Sequence, residues 1–443
     1  MKRWLMICLV SITLGLSANL AAQENPLSIE ECVEIALKQN PDIIRGTFTV
    51  QIAGRDVTIA MANFLPRVSA NTGYYHSVVG PSSLLRIDPG SGIPVPLQPT
   101  EIKQWGSYAG FNVNQNIIDG GYSFFNYAQK RAMRESTEFQ FEDTKQATIL
   151  MVKERYYNLL KAEKLLEFTE ETIKSSEESY KKASVLYQVG KVPKSDVLKA
   201  KVQLETDRLS LIEAQNGLAI ARASLNHILG FDVDHDIRVI DNLDVPEMEV
   251  SYADAISNAF SNHPALKMRA YDLKASRAGI GMAVSQYLPS LSASYSYNWT
   301  HSDFNQIKQM FDNDYRWSMS IHLQIPIFQG FARFATLSKA KLYHKSNQES
   351  QAQTQRDVAL STKQAFFQVE QAKKKIAVTR DALESADEDL RLNKEKYSLG
   401  AGTMLDLINA QTSQTLAKSE SIQALYDYKY AVAWLKRAMG RLE

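Results

Sequence analysis

Ser290-Leu291-Ser292-Ala293-Ser294-Tyr295-Ser296-Tyr297-Asn298-Trp299 alternates polar and apolar residues at every step. Arg316-Trp317-Ser318-Met319-Ser320-Ile321-His322-Leu323-Gln324-Ile325 repeats the pattern without an error. A period of two sends successive side chains to opposite faces, so each segment reads as a strand with one apolar and one polar face. A noisier version stands earlier, with Val68, Ala70, Thr72 and Tyr74 in one segment and Trp105, Ala109, Phe111 and Val113 in another. After their first positions, none of the strand cores 68–76, 105–118, 289–300 and 317–327 carries a charged residue. The strands end in Tyr74, Tyr75, Trp105, Tyr297, Trp299 and Trp317, as aromatic girdles at a bilayer interface do. Their Ser, Asn and Gln faces suit a water-filled lumen. A soluble sandwich shows the same alternation, and for one hairpin alone that is the default reading. Four strands fall short of the roughly eight that close a membrane barrel. Lipid does not tolerate an open sheet edge. If these strands span a membrane, several chains share one barrel.

Outward from the strands the composition changes. Neither glycine nor proline occurs between Gly121 and Gly190, or between Gly330 and Gly400. These segments are rich in Ala, Glu, Lys, Gln and Leu, and each is long enough for a helix of about 100 Å. Globular helices average about 11–12 residues, so these demand a special architecture. Leu204, Leu211, Leu218 and Leu225 recur at heptad spacing, accompanied by Ala214, Ala221 and Ile228. Any one of these residues fits an ordinary core stripe. Together they read as the seam of an antiparallel coiled-coil hairpin.

The two halves are copies. Asn40-Pro41 returns as His263-Pro264, Leu65-Pro66 as Leu288-Pro289 and Tyr74 as Tyr297, at one constant spacing. Gly120, Tyr187, Gly190, Asp196 and Gly230 return as Gly330, Tyr397, Gly400, Asp406 and Gly440, at a second, shorter one. The difference is an insert rich in proline (Pro81, Pro89, Pro94, Pro96, Pro99), which reads as a loop. Repeat one spans 23–240, with a β-hairpin over 66–118 and a long helical hairpin over 120–230. Repeat two spans 241–443, with corresponding hairpins over 289–327 and 330–440. Short amphipathic helices over Ser28–Gln39 and Tyr252–Asn262 precede each. Asn40 and His263 then stand before a proline, as cap residues do, so His263 reads as a cap and not as a metal ligand.

Lys2-Arg3, the apolar stretch Leu5–Leu16 and Leu20-Ala21-Ala22 read as a signal peptide over 1–22. Cys8 lies in that leader, so the mature chain keeps Cys32 alone and forms no internal disulfide. Beyond the leader no apolar run reaches the about 18 residues of a transmembrane helix. Net charge is +1 and falls to about −1 without Lys2 and Arg3, which excludes the basic footprint of a nucleic-acid binder. The seven histidines are scattered and suggest no metal site. G-x-S-x-G and H-E-x-x-H are absent. Gly190-Lys191 lacks the earlier glycine of a phosphate loop, because Val185 stands there. No cofactor is implied. A periplasmic scaffold with a coiled-coil stalk remains the alternative to a channel; its strands would be soluble and its extraction would need no detergent.

The long hairpins reverse at Tyr187-Gln188-Val189-Gly190 and Tyr397-Ser398-Leu399-Gly400, where glycine supplies a left-handed C-cap. Ser195 and Thr403 offer N-caps, and Thr403-x-x-Asp406 resembles a capping box. Asp196 and Asp406 either favour a helix N-terminus or stand in a ring at the tip of an oligomer.

With the duplicated helix–strand–strand–helix order, the Leu-Pro strand entries and an apolar-Gly-x₅-Asp tip in both halves, the chain resembles the TolC family of outer-membrane efflux proteins over essentially all of its mature length. The resemblance implies a mostly α fold with a small β part. Three protomers would build a 12-stranded transmembrane β-barrel continuous with a 12-helix α-barrel. It implies a homotrimer in the outer membrane of a Gram-negative bacterium, with a long periplasmic part, a periplasmic adaptor, an inner-membrane pump and no catalysis. Drug and metal efflux pumps and type I protein secretion systems use such ducts. The apolar-Gly pairs Val189-Gly190 and Leu399-Gly400 match the adaptor-docking tips. Asp406 matches the first of two aperture aspartates, and the second falls on Asn409. Tyr397 and Ser195-Asp196 match a Tyr and a Thr-Asp pair that hold the closed state. The arginine that joins them in the family falls on Gly402, so the resemblance implies a different closing contact here.

Overall fold

The apolar-polar alternation becomes a single antiparallel sheet. The computed structural model describes residues 26–80, 85–96, 101–241, 248–301, 311 and 315–442, so the expected leader lies outside the described residues. In chain order the elements are α1 (Ile29–Gln39), α2 (Pro41–Met61), β1 (Arg67–Val79), β2 (Leu85–Ile87), β3 (Pro94–Pro96), β4 (Ile102–Asp119), α3 (Tyr122–Gln188) and α4 (Lys194–Leu229). The second half gives α5 (Tyr252–Asn262), α6 (Pro264–Ser285), β5 (Ser290–His301), β6 (Tyr315–Gln324), α7 (Ala332–Ser398) and α8 (Met404–Ala438). Both α3 and α7 run for 67 residues, about 100 Å at the usual rise. No helix among the described residues is long and apolar enough to cross a membrane.

The chain divides into two compact units, each described by itself. One contains the sheet, ordered β1-β4-β5-β6, with β2 and β3 forming a separate small hairpin. Register sorts the side chains cleanly. Val68, Phe111, Tyr297 and Trp317 share a face with Tyr74, Trp105, Trp299, Met319 and Ile321. Asn71, Asn112, Ser294, Ser296, Ser318 and Ser320 share the other, where Ser294–Ser320 (2.7 Å), Ser296–Ser318 (2.8 Å) and Asn112–Asn71 (3.1 Å) are hydrogen-bonded. Tyr75 departs from the expected girdle. As the neighbour of Tyr74 it must point the opposite way, and its ring lies across Gly106 on the polar face.

In the same unit the helices follow the order of the strands. Asp56 of α2 is 2.9 Å from Lys130 of α3. Ser136 of α3 donates to Asp272 of α6 at 2.5 Å, and Phe139 stacks on Tyr271. Ser276 of α6 lies 2.9 Å from His344 of α7. The sequence α2-α3-α6-α7 thus repeats β1-β4-β5-β6, with an unpaired edge at β1 and at β6. His263 does cap α6, its Nδ1 accepting from the Ala265 N–H at 3.2 Å.

The other unit is held by apolar packing. Cys32 and Ala36 of α1 are buried with Val152, Tyr156, Leu159 and Leu160 of α3, Leu225 and Leu229 of α4, and Tyr426 of α8. The Tyr156 hydroxyl sits 2.6 Å from the Ile240 carbonyl and 3.0 Å from that of Leu27, where the chain forms a parallel bridge between Leu27 and Val239. The heptad seam faces inward: Leu204 and Leu225 are buried, and Leu211, Ala214, Leu218, Ala221 and Ile228 are half-buried. One seam position is polar. Asp207 is buried between Leu204 and Leu211, accepting from Ser176 Oγ and, at 3.0 Å, from Gln203 Nε2. Burial holds its carboxyl above the usual range. The second repeat has Ala386 and Ala417 where the first has Ser176 and Asp207.

Candidate functional site

The two hairpin tips lie in one unit and close the same way. Gly190 and Gly400 take φ of 74° and 75°, a left-handed backbone that a side chain would strain. The Gly190 N–H bonds the Tyr187 carbonyl at 2.9 Å and the Lys191 N–H bonds the Leu186 carbonyl at 2.9 Å. Gly400 to Tyr397 (3.2 Å) and Ala401 to Lys396 (2.9 Å) repeat the pair, so both long helices end in a Schellman motif. Val189 and Leu399 stand at the turns 63% and 83% exposed. A side-chain carbon built on either tip glycine would meet nothing within 4 Å. The tips therefore present two small, free apolar knobs.

The returning helices start differently. Thr403 caps α8: its hydroxyl accepts from the Asp406 N–H at 3.1 Å, while Asp406 Oδ2 accepts from the Thr403 hydroxyl (2.6 Å) and N–H (3.1 Å). Those bonds hold the Asp406 carboxyl below the usual range, the hydroxyl contributing most. Ser195 does not cap α4. Pro193 takes that place, with an extended backbone and no side-chain bond. The reason is positional: Thr403 corresponds to Pro193, so Ser195 falls inside the first turn, where Leu405 stands in the second repeat. Asp196 and Asp406 occupy the same position in their helices, half-buried and exposed respectively, and Asn409 is exposed one turn beyond Asp406.

Beneath the tips Ala183, Ala200, Met404 and Leu407 enclose Tyr397. Its hydroxyl is buried without a hydrogen-bond partner among the described residues. Burial and the charge of Asp196 push that phenol up. The structure thus brings Tyr397 within electrostatic reach of Asp196 across the hairpins, without a direct bond. The bonds that do cross join other residues. Gln411 Nε2 of α8 donates to Ser179 Oγ of α3 at 3.1 Å, and Lys394 Nζ of α7 to Ser175 Oγ at 3.0 Å. Nothing in the sequence marks these four residues, because the contact joins segments more than 200 positions apart.

On the apolar face of the sheet the aromatics cluster. Tyr74 and Trp105 stack at 5.9 Å, Tyr295 and Trp317 at 6.4 Å, and Tyr297 tilts against Trp299 at 4.7 Å. No group of three or more His, Cys, Asp or Glu among the described residues could hold a metal ion.

Residues 32–231 and 255–441 match the family described as outer membrane efflux protein. The chain is 21% identical over 437 residues to the outer membrane protein TolC of Vibrio cholerae, covering 98% of this chain and 94% of that protein. It is 22% identical over 391 residues to a probable efflux pump outer membrane protein, TtgC, of Pseudomonas putida, covering 87% and 77%. Among solved structures, the CmeC outer membrane channel of Campylobacter jejuni matches with a TM-score of 0.82 at 18% identity, over 94% of this chain and 86% of that one. That family match spans most of the chain, which belongs to the outer membrane efflux protein family.

Proposed function

We propose that three copies of this chain form the outer-membrane exit duct of a tripartite efflux or type I secretion system, passing solutes from an inner-membrane pump and its periplasmic adaptor to the exterior without chemistry of their own. The observation that carries this reading is the matched order of strands and helices. Joining the β6 edge of one copy to the β1 edge of the next closes a sheet that lipid would not tolerate open. Three such joins give twelve strands, a closed even number. The same step sets α7 beside the next copy's α2. Each of these helices shows an uncovered apolar stripe in the single chain: Ile44, Phe48, Ile52 and Ile59 on α2, Phe334 and Leu342 on α7. The aromatic face then meets lipid and the Ser-Asn face lines the lumen. Particles extracted from outer membranes in mild detergent should have about three times the mass of one mature chain and should conduct ions in a planar bilayer. A one-copy mass, or release without detergent, would replace the duct by a periplasmic scaffold.

In this assembly Val189-Gly190 and Leu399-Gly400 offer the adaptor its docking knobs. Asp406 and Asp196 line the periplasmic aperture, Asn409 stands one turn inside it, and Ser195-Asp196 and Tyr397 form part of the closed gate. Carboxylates gathered in a ring attract multivalent cations. Asp196→Ala combined with Asp406→Ala should therefore weaken the block of single-channel current by trivalent cations at least tenfold. Unchanged block would remove both acids from the aperture.

A further inference from the structure

The duplication turns a contact inside the chain into one between chains. Within the chain α8 meets α3 through Gln411, whose amide donates to Ser179 Oγ at 3.1 Å and reaches Ser175 Oγ at 3.5 Å. The spacing that relates Gly190 to Gly400 relates α3 to α7 and α4 to α8. It relates Ser179 to Asp389, Ser175 to Ser385, and Lys201 to Gln411. A chain with two hairpins holds one junction from the first hairpin to the second. The reverse junction exists only where another copy begins.

We infer that Asp389 of one copy forms an ion pair with Lys201 of the next, closing the ring of tips from outside the chain. This rests on the three-copy reading above. Both residues are exposed in the single chain, as an interface pair must be before assembly. Asp389 Oδ1 accepts from Asn393 Nδ2 at 2.9 Å, which orients the carboxylate and leaves Oδ2 for a cation. Ser385, one turn away, supplies a second oxygen where Ser175 does so inside the chain. The Gln411 contact is uncharged within a copy, and its counterpart between copies is an ion pair. Solvent-exposed ion pairs are individually weak and are screened by salt. Three of them make a seam that a docking adaptor can open without breaking the joints inside each copy.

Paired cysteines test it. Cys32 is buried, so engineered thiols are the reactive ones. In the full-length trimer, Lys201→Cys with Asp389→Cys should give dimers and trimers linked by oxidation, whereas Ser179→Cys with Gln411→Cys should give only chain-sized product. In bilayer recordings Lys201→Glu and Asp389→Lys should each raise the open probability severalfold, and the exchanged pair Lys201→Asp with Asp389→Lys should restore most of the closure. Trimers that do not cross-link at 201 and 389, or an exchanged pair as leaky as either single reversal, would overturn the pairing and leave the duct intact. A particle with the mass of one copy would overturn both.

Discussion

Replacing Phe334 and Leu342 together by glutamate is expected to yield a folded chain that no longer assembles. Both side chains point away from the rest of their unit, at 70% and 63% exposure, so their loss removes little from the single chain. With the α3–α6 contacts carried over by the repeat spacing, they would lie against Ile59 and Ile52 of the next copy, both exposed in the single chain. Each large apolar side chain buried there stabilises the assembly by about 1.5–3 kcal/mol, and a carboxylate stranded in its place costs several more. With three equivalent joins, the expected loss exceeds what a membrane ring of three parts could absorb. Native mass spectrometry in detergent should show one-copy particles, and bilayers should show no conductance. Phe334→Leu with Leu342→Met, which keeps the apolar volume, should assemble normally. If the doubly acidic variant remains a trimer, α7 faces lipid or water and the order of copies proposed above is wrong.

The second large effect is expected within one chain. Gly440 has φ of +70°, and a side-chain carbon there would lie 2.8 Å from the backbone of Asn262 and His263. That neighbour is main chain, fixed between α5 and the proline that starts α6, and it cannot step aside. A β-branched residue would add left-handed strain of about 1–2 kcal/mol to an overpacking cost of about 1–3 kcal/mol. Gly440→Val should therefore destabilise by about 3 kcal/mol, read as a drop in the midpoint of thermal unfolding in detergent. Gly230 is the duplicate position, with φ of +83°, and a side-chain carbon there would stand 3.0 Å from the Gln39 carbonyl oxygen. Gly230→Val should behave alike, while Gly217→Ala, inside α4 with nothing within 4 Å, should stabilise by up to about 1 kcal/mol. Equal midpoints for Gly440→Val and Gly217→Ala would mean that the helix ends are not packed as described.

The fold was legible because its signals are local and physical. Charge-free alternation around Tyr297 and Trp317 specifies two-faced strands, and the glycine spacing from Gly121 to Gly190 specifies one very long helix. Other features need register or distance. By residue type Tyr75 belongs to the girdle, and its pairing with Gly106 puts it on the polar face. Residue type favours Ser195 as a cap, although its place in the repeat corresponds to Leu405 and the capping place is Pro193. Asp207 was hidden inside a leucine heptad. The bonds from Gln411 and Lys394 to Ser179 and Ser175 join separate hairpins, and no periodicity within either hairpin reports them.

That buried carboxylate carries a consequence for how the tube could have arisen. A half-length ancestor assembling six identical hairpins would be obliged to place the same side chains in every seam. Fusion into one gene lifts that obligation. Ser176 and Asp207 lock the first hairpin in one register, because sliding would strand the acid among leucines. Ala386 and Ala417 impose no such penalty on the second. In the proposed three-copy duct, six equal staves would become three stiff ones alternating with three compliant ones, and opening would fall to the compliant hairpins.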